Sequence, residues 1–344
     1  MNNTIYRARA PLRLGLAGGG TDVSPYCDEY GGAIINVTID RYAYASIRLR
    51  ADNKVVFVSV DQDIEEVFPI ARLVPDDSRL KLHRGVFNRI FRDYGFGRSS
   101  GFTFTTHVDA PMGSGLGSSS ALVVAMLAAM REYLYLPLGE YELARLAFDI
   151  ERVDLLLQGG RQDQYAATFG GFNFMEFQAN ERVIVNPLRM RPRILNEIES
   201  SILLTFSGAS RESAAIIENQ SKSVQAGGKS LEAMHQLKEE AVQMKEALLF
   251  GNVSRIGEIL RSGWEAKKRT SATVSTPQVE QLFNVAMNNG AIAGKLSGAG
   301  GGGFALFLVD PDVRPRLEKA IKEQTDANPT NCKLTHDGVD AWSF

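Results

Sequence analysis

Cysteine and histidine are scarce in this chain, which has two cysteines and four histidines among 344 residues. Cys27 and Cys332 stand far apart, and neither they nor the histidines show the spacing of zinc ligands. These absences exclude a disulfide scaffold and argue against a transition-metal site. Disulfide-poor chains are typical of reducing compartments, so we expect a cytoplasmic protein.

Long apolar runs and long basic runs are also missing. No apolar stretch reaches the roughly 20 residues that cross a bilayer, and Met1–Thr4 lacks the basic start of a signal peptide. The formal net charge is −2, whereas a general nucleic-acid binder needs many Lys and Arg residues to displace counterions. We therefore predict small-molecule partners, no membrane and no nucleic acid. A homo-oligomer is compatible with the sequence.

The composition, 44% hydrophobic and 23% charged, is that of a globular enzyme. Hydrophobic periodicity predicts the following elements in the first half: β structure over residues 4–60, helices at Leu80–Tyr94 and Glu140–Leu157, a strand at Phe102–Val108 and a hairpin over 172–185. In the second half it predicts a strand at Ile202–Phe206, helices between residues 211 and 289, strands at Ala291–Leu296 and Phe304–Val309, and a helix at Val313–Gln324. Pro187 and Pro192 mark a boundary. We predict an α+β protein with domains over residues 1–187 and 188–344.

The most informative segment, called here the phosphate loop, runs from Pro111 to Ala121. It holds three glycines and four serines and leads straight into an apolar helical segment, Leu122–Met130. Glycine lets the backbone adopt positive φ and approach a ligand, and the first N–H groups of a helix have no intrahelical partner. The loop therefore predicts a cradle for nucleotide phosphates. The alternative is a flexible linker, but linkers do not lead directly into a helix that is apolar on every side.

A second glycine-rich segment, Lys295–Phe304, contains the pattern G-x-G-x-x-G from Gly298 to Gly303. A dinucleotide fold needs a helix after this pattern, whereas Phe304–Val309 has the pattern of a strand. We therefore reject the dinucleotide interpretation. Four consecutive glycines let the backbone pack against something flat or bulky, and a tight hairpin turn is the alternative.

A third cluster of glycines lies near the start, within Pro11–Asp22. None of the clusters is followed by Gly-Lys-Ser/Thr, which excludes a P-loop. Three glycine-rich segments in this order resemble the GHMP family of small-molecule kinases over nearly the whole chain; Pro11–Asp22 is similar to its first motif and Lys295–Phe304 to its third motif. The resemblance implies an N-terminal domain like the second domain of ribosomal protein S5, a ferredoxin-like C-terminal domain and a site between them. It also implies ATP and Mg²⁺ as cofactors.

The resemblance further implies roles for single residues. Those expected to bind ATP are Pro111, Gly113, Ser114, Gly115, Leu116, Gly117, Ser118 and Ser119. Ser119 and Glu151 would coordinate Mg²⁺, and Asp163 would be the catalytic base. Arg13 would stabilise charge on the transferred phosphoryl group or lower the pKa of Asp163. Without the resemblance, Glu151 would be interpreted as a surface glutamate and Asp163 as a turn residue.

Ser120 stands where the family often has alanine, and its role is open. Galactokinases of the family usually carry Glu-His-Thr-Asp where this chain has Gly19, Gly20, Thr21 and Asp22. The difference removes two groups that contact sugar and suits a larger or anionic acceptor. We expect these four residues and Gly300 to contact the substrate.

The first motif, together with Gly208–Arg211 and Trp264–Lys268, resembles the bacterial kinases of D-glycero-D-manno-heptose 7-phosphate. Those enzymes make the 1,7-bisphosphate on the way to GDP-heptose. The phosphate already on such an acceptor needs a cation, and Arg211 is the first candidate, followed by Lys267 and Lys268. For the lysines, the alternative is a solvated helix end, where cations are favoured.

Two other functions stay open at the level of sequence. A kinase of an unphosphorylated sugar, such as fucose or galactose, would differ only in its acceptor. A ligand sensor on a kinase fold would belong to a different class of protein, but it would have no need to keep Arg13, Ser119, Glu151 and Asp163 together.

Overall fold

The computed structural model describes residues 4–95, 101–208 and 213–344. The strands are β1 (Ile5–Ala17), β2 (Gly32–Leu49), β3 (Lys54–Ser59), β4 (Ile64–Pro69), β5 (Phe102–Val108), β6 (Phe172–Phe177), β7 (Val183–Pro187), β8 (Ile202–Phe206), β9 (Ala291–Leu296), β10 (Phe304–Val309), β11 (Asn328–Thr330) and β12 (Asp340–Ser343). The helices are α1 (Tyr26–Tyr30), α2 (Lys81–Asp93), α3 (Ser118–Leu134), α4 (Glu140–Asp149), α5 (Gln162–Phe169), α6 (Pro192–Ser201), α7 (Ser213–Gln225), α8 (Lys229–Phe250), α9 (Val253–Thr270), α10 (Pro277–Asn288) and α11 (Arg314–Gln324).

Strands of the first half form one mixed sheet in the order β12-β1-β2-β5-β3-β4, with β6 and β7 added beside β2. β2 is 18 residues long and pairs with β6 along its first part and with β5 along its second. Within the β structure predicted over residues 4–60, the two runs with the pattern of a strand here are Ala33–Val37 and Tyr42–Leu49. They form one continuous strand because β1 pairs with both, and a bulge accommodates the residues between them.

The helix that follows the phosphate loop is buried on all sides, as the sequence predicted. α3 packs on β1 and β2 and also contacts α2, α4 and α5. Every residue from Ala121 to Met130 is at most 2% exposed. Burial on every side fixes the position of the helix, and with it the N-terminus at Ser118. Within the described ranges, no helix is both long and apolar enough to span a membrane.

Strands of the second half form an antiparallel sheet in the order β11-β8-β10-β9. Along the chain, helices separate β8 from β9 and α11 separates β10 from β11, which gives the β-α-β-β-α-β order of a ferredoxin-like domain. Trp264 of α9 stacks on Phe283 of α10 with ring centroids 5.1 Å apart, and both pack in a core with Phe307 of β10. The predicted α+β class is confirmed.

The predicted helix Glu140–Leu157 is wrong in its second half. α4 ends at Asp149, and the chain continues as a π-helical turn, Ile150–Asp154. A π turn takes up an extra residue and shifts the apolar stripe, so Val153 is 58% exposed although α-helical spacing placed it in the core. Glu151 lies in this turn and is buried.

The end of the chain returns to the first sheet, where β12 pairs with β1. The prediction grouped these residues with the second half, since sequence periodicity does not show which strands pair. α6 also contributes Ile194 and Ile198 to the same core cluster as β1 and α3. The boundary at 187/188 falls between β7 and α6 and stays a prediction.

Candidate active site

A cavity of about 610 Å³ is lined by residues from both halves of the chain. Its wall is made by the first motif, the phosphate loop, the π-helical turn, the segment Leu157–Asp163, α7, α9 and the third motif. The three glycine-rich segments, far apart in the sequence, therefore meet at one place.

The phosphate loop connects β5 to α3 and turns at glycines. Gly113, Gly115 and Gly117 have φ values of 75°, 81° and 75°, a region that residues other than glycine rarely adopt. Gly117 is the N-cap of α3, and no side chain caps this end of the helix. The first turn, Ser118–Ser120, lines the cavity. Uncapped amides at a helix N-terminus are suited to bind an anion.

Arg13 of β1 connects the glycine-rich segments to Asp163. Its guanidinium is buried, and its Nε donates to Asp163 Oδ1 at 2.7 Å. Its Nη1 donates to the Gly115 carbonyl at 2.5 Å and to Ser297 Oγ at 3.2 Å. The carboxylate of Asp163 is thus held in one orientation at the cavity wall.

Asp22 is buried and supports the segment that carries Asp163. Its Oδ2 accepts hydrogen bonds from the backbone N–H groups of Arg161, at 2.8 Å, and Gln162, at 3.0 Å, at the start of α5. Burial raises the pKa of Asp22, while the hydrogen bond from the Gln162 N–H lowers it and the charge of Asp163 raises it further. A Cβ on Gly160 would collide with the Asp22 carboxylate, so this approach requires glycine.

The third motif packs its backbone against the phosphate loop. The Phe304 N–H donates to the Ser114 carbonyl at 2.9 Å. A Cβ on Gly115 would collide with the Ser297 carbonyl, and one on Gly303 would collide with the Ser114 carbonyl. Both earlier interpretations of the glycine run therefore apply: it is the turn between paired strands β9 and β10, and it packs closely against another backbone.

Glu151 and Ser119 supply oxygen atoms to the cavity wall. Glu151 is 2% exposed; its Oε2 accepts a hydrogen bond from Gln164 Nε2, and its Oε1 lies 3.5 Å from Arg152 Nη1. A carboxylate and a hydroxyl are ligands that Mg²⁺ accepts, and Mg²⁺ takes most of its other ligands from phosphates and water. The residues present therefore fit a Mg²⁺–nucleotide complex.

Comparison with known proteins agrees with this arrangement. Residues 81–171 match the model of the GHMP kinases N terminal domain, and residues 244–327 match that of the GHMP kinases C terminal domain. D-glycero-alpha-D-manno-heptose 7-phosphate kinase of Campylobacter jejuni is 45% identical over 98% of each chain. This chain belongs to the GHMP kinase family.

Solved structures of GHMP kinases share the fold. A D-glycero-D-manno-heptose 1-phosphate kinase from Bacteroides thetaiotaomicron is 43% identical, with a TM-score of 0.83 over 98% of each chain. A sugar kinase from Campylobacter jejuni is 44% identical, with a TM-score of 0.82 over 99% of this chain and 98% of that one. The galactokinase of Lactococcus lactis, at 18% identity and a TM-score of 0.77, is similar in fold alone.

Lys267 of α9 brings a buried cation to the first motif of this GHMP kinase. Its Nζ donates to the Gly19 carbonyl at 3.0 Å and to Gln220 Oε1 at 3.2 Å. Burial lowers the pKa of Lys267 to about 8, although Asp22 acts in the opposite direction. Lys268 does not line the cavity and pairs with Glu265 at 2.8 Å. Arg211, the other expected cation, lies outside the described residues.

Many of the residues predicted from the sequence line the cavity: Arg13, Gly20, Asp22, Gly113, Gly115, Gly117, Ser118, Ser119, Glu151, Asp163 and Lys267. Others do not line it: Pro111, Ser114, Leu116, Gly19, Thr21 and Gly300. Thr21 instead donates from Oγ1 to the carbonyls of Gly18 and Ala33. Gly300 packs on Val274, whose carbonyl accepts the Gly301 N–H at 2.7 Å, and this contact holds Gly300 away from the cavity.

The sequence did not point to several polar residues at the site. Arg152, Gln162 and Gln220 line the cavity, but each is also an ordinary helix-surface residue in the sequence. Lys295 lies close by, and its Nζ donates to the Gly15 carbonyl at 2.8 Å. Burial, together with Lys267 and Arg13, lowers the pKa of Lys295 to about 7. The sequence does contain a signal for Lys295, because a lysine in an otherwise apolar strand indicates a specific role.

Substitution of Gly303 tests the contact between the third motif and the phosphate loop. Gly303→Ala places a Cβ against the Ser114 carbonyl and forces a residue with φ of 86° to carry a side chain. We expect lower affinity for ATP, measured by calorimetry with a non-hydrolysable analogue. Gly227→Ala is the matched control, because Gly227 has φ of 77° but its Cβ would meet no atom within 4 Å. Equal ATP affinity in the two variants would contradict the role of the contact.

Proposed function

We propose that this GHMP kinase transfers the γ-phosphate of ATP to the anomeric C1 hydroxyl of D-glycero-D-manno-heptose 7-phosphate. The products are ADP and the 1,7-bisphosphate, a step toward GDP-heptose. The observation that carries the proposal is the Asp163 carboxylate, fixed at 2.7 Å by the buried Arg13 in a cavity that the phosphate loop also lines. The relative from Campylobacter jejuni, which is named for this acceptor and is 45% identical, supports the choice of sugar.

At the donor end, the phosphate loop and the first turn of α3 hold the phosphates of ATP. The donors that we assign to these phosphates are the backbone N–H groups at Gly113–Gly117 and the hydroxyl of Ser118. The buried Ser114 and Leu116 and the exposed Pro111 would shape the loop. Ser119 and Glu151 would hold Mg²⁺, which neutralises charge on the β- and γ-phosphates when it is bound.

At the reacting centre, Asp163 accepts the proton of the C1 hydroxyl as the oxygen attacks the γ-phosphorus. The bond from this phosphorus to the bridging oxygen breaks, and ADP leaves with that oxygen. Arg13 keeps the Asp163 carboxylate in place through its Nε and adds positive charge beside the transferred group. The kinase chemistry then depends on position and charge, as is usual for phosphoryl transfer.

At the acceptor end, Gly20, Asp22, Gln220 and Lys267 line the cavity together. Lys267 is the described cation best placed for the phosphate that the sugar already carries, and Arg211 stays a candidate on its sequence alone. The absence of a side chain at Gly20 leaves room, since a Cβ there would lie 2.9 Å from both Lys267 Nζ and Gln220 Nε2. We place the reaction in the cytoplasm, and the free thiols of Cys27 and Cys332 accord with a reducing compartment.

A panel of acceptors tests the function directly. ADP formation should be fastest with D-glycero-D-manno-heptose 7-phosphate and much slower with fucose, galactose or heptose 1-phosphate. The last is included because one relative is named for a 1-phosphate. Phosphorus NMR should show the new phosphate on C1. Fastest turnover with an unphosphorylated sugar would exclude the proposed acceptor, and no sugar-dependent turnover would favour a sensor.

Replacement of Asp163 tests the proposed base. Asp163→Asn keeps the shape of the side chain but cannot accept the proton, and general-base catalysis is worth about 10²–10⁴-fold in rate. We expect kcat to fall by that factor while the Kd for an ATP analogue changes little. Asp154→Asn is the control, because Asp154 also pairs with an arginine, Arg89 at 2.8 Å, but lies outside the cavity lining. Near-normal turnover of the Asp163 variant would remove it as the base.

The pH dependence of acceptor binding tests Lys267. Because its pKa is lowered to about 8, Lys267 loses its charge as the pH rises through that value. We expect the KM for the sugar phosphate to rise above about pH 8, while the KM for ATP changes less. Lys267→Met should raise the KM for sugar phosphate below about pH 8 and remove this rise, whereas Lys268→Met should behave as the parent protein. If the KM for sugar phosphate and the KM for ATP change equally with pH, Lys267 does not bind the phosphate of the acceptor.

A further inference from the structure

Gln164 is a buried amide between the phosphate loop and the π-helical turn. It lies on α5, next to Asp163 in the sequence, and is fully buried. Its Nε2 donates to Ser120 Oγ at 3.1 Å and to Glu151 Oε2. One amide nitrogen therefore uses its two hydrogens to join the first turn of α3 to the carboxylate of Glu151.

The orientation of this amide carries an energetic cost. Gln164 Oε1 is buried and has no hydrogen-bond partner. A buried polar atom without a partner destabilises the folded state, because it has lost its hydrogen bonds to water. The reverse orientation would bring the amide oxygen against the Glu151 carboxylate, where like partial charges repel. The contact with Glu151 thus sets the orientation of the amide, and Oε1 is left without a partner.

The chemistry of the donor matters for Glu151. An amide is neutral, so it holds Oε2 without cancelling the charge of the carboxylate. The other oxygen, Oε1, forms an ion pair with Arg152 Nη1 at 3.5 Å, and Glu151 and Arg152 both line the cavity. A carboxylate with one oxygen fixed by a neutral donor and the other in a loose ion pair at the cavity wall is suited to a cation. Partners that orient a metal ligand in this way raise metal affinity.

We propose that Gln164, anchored by Ser120, is a positioning residue that sets the Glu151 carboxylate for the cation of the Mg²⁺–ATP complex. The proposal rests on the proposed function, which makes Glu151 a metal ligand. It also gives Ser120 a role. The adjacent serines of one helical turn then act on different partners, because Ser119 binds the metal and Ser120 supports Gln164.

Binding of Mn²⁺ as a probe for Mg²⁺ tests the proposal without relying on turnover. The free Mn²⁺ signal in electron paramagnetic resonance gives the Kd of the metal for the complex of the whole protein with a non-hydrolysable ATP analogue. We expect Gln164→Met, of similar length but without a donor, to raise this Kd by about 10–100-fold, the range for lost supporting partners. Ser120→Ala should shift it in the same direction, and excess Mg²⁺ should restore much of kcat. Nucleotide affinity without metal should not change.

Thr168→Val is the matched control for both variants. Thr168 is buried on the same helix, and its Oγ1 donates to the Gln164 carbonyl at 2.7 Å, so the change also removes a buried hydroxyl there. Its metal Kd should equal that of the parent protein. An equal increase in all three variants would mean general loosening of α5 and would overturn the proposal.

Glu151→Gln separates this inference from the function on which it rests. If Glu151→Gln weakens Mn²⁺ binding but Gln164→Met and Ser120→Ala do not, the positioning role is wrong and the metal role of Glu151 stands. If Gln164→Met fails to fold, Ser120→Ala decides between these results. If Glu151→Gln leaves the Kd unchanged, Glu151 is not a ligand and both proposals about it fail.

Discussion

The site depends on one buried guanidinium. Arg13 lies on β1, is 4% exposed, and directs its donors to Asp163, the Gly115 carbonyl and Ser297. A buried charge is stable only when it is paired and hydrogen-bonded. The guanidinium of Arg13 therefore requires all three acceptors, and its hydrogen bonds fix the positions of the segments that carry them. The backbone of Arg13 adds a further contact, because its N–H donates to the Leu116 carbonyl at 2.9 Å. The relative positions of the phosphate loop, Asp163 and the third motif thus depend on the hydrogen bonds of Arg13.

Positive charge is concentrated around this centre, where Arg13 pairs with Asp163. Lys267 is buried nearby and Lys295 is partly buried, and Lys267 and Arg13 contribute to the lowered pKa of Lys295. A phosphate group that binds near Lys295 would favour its protonated form, because the opposite charge offsets the effect of Lys267 and Arg13. The site also requires glycine at Gly115 and Gly303, because the two backbones approach so closely there that any side chain would collide with a carbonyl.

Sequence reasoning predicted several of the strands and located the glycine-rich segments, because both have strong local patterns. β5, β8, β9 and β10 begin and end at the predicted residues, and the phosphate loop leads into a buried helix as expected. What it could not recover depends on contacts between distant residues. The π-helical turn at Glu151 interrupts an ordinary apolar stripe, the pairing of β12 with β1 has no periodic signature, and Gln164 resembles any polar helix residue until Ser120 and Glu151 are placed beside it. For the site residues, motif resemblance indicated where to look, and the tertiary contacts gave the distances.

The place of β12 in the first sheet has a consequence for how the chain is made. β1 leaves the ribosome long before the strand that covers its open edge, since Asp340–Ser343 pairs with Tyr6–Arg9. During synthesis, one edge of β1 therefore has no strand from this chain to cover it while nearly all the intervening residues are added. Unpaired edges are where strands of different chains join. The growing polypeptide is thus exposed to association with other chains until β12 pairs with β1.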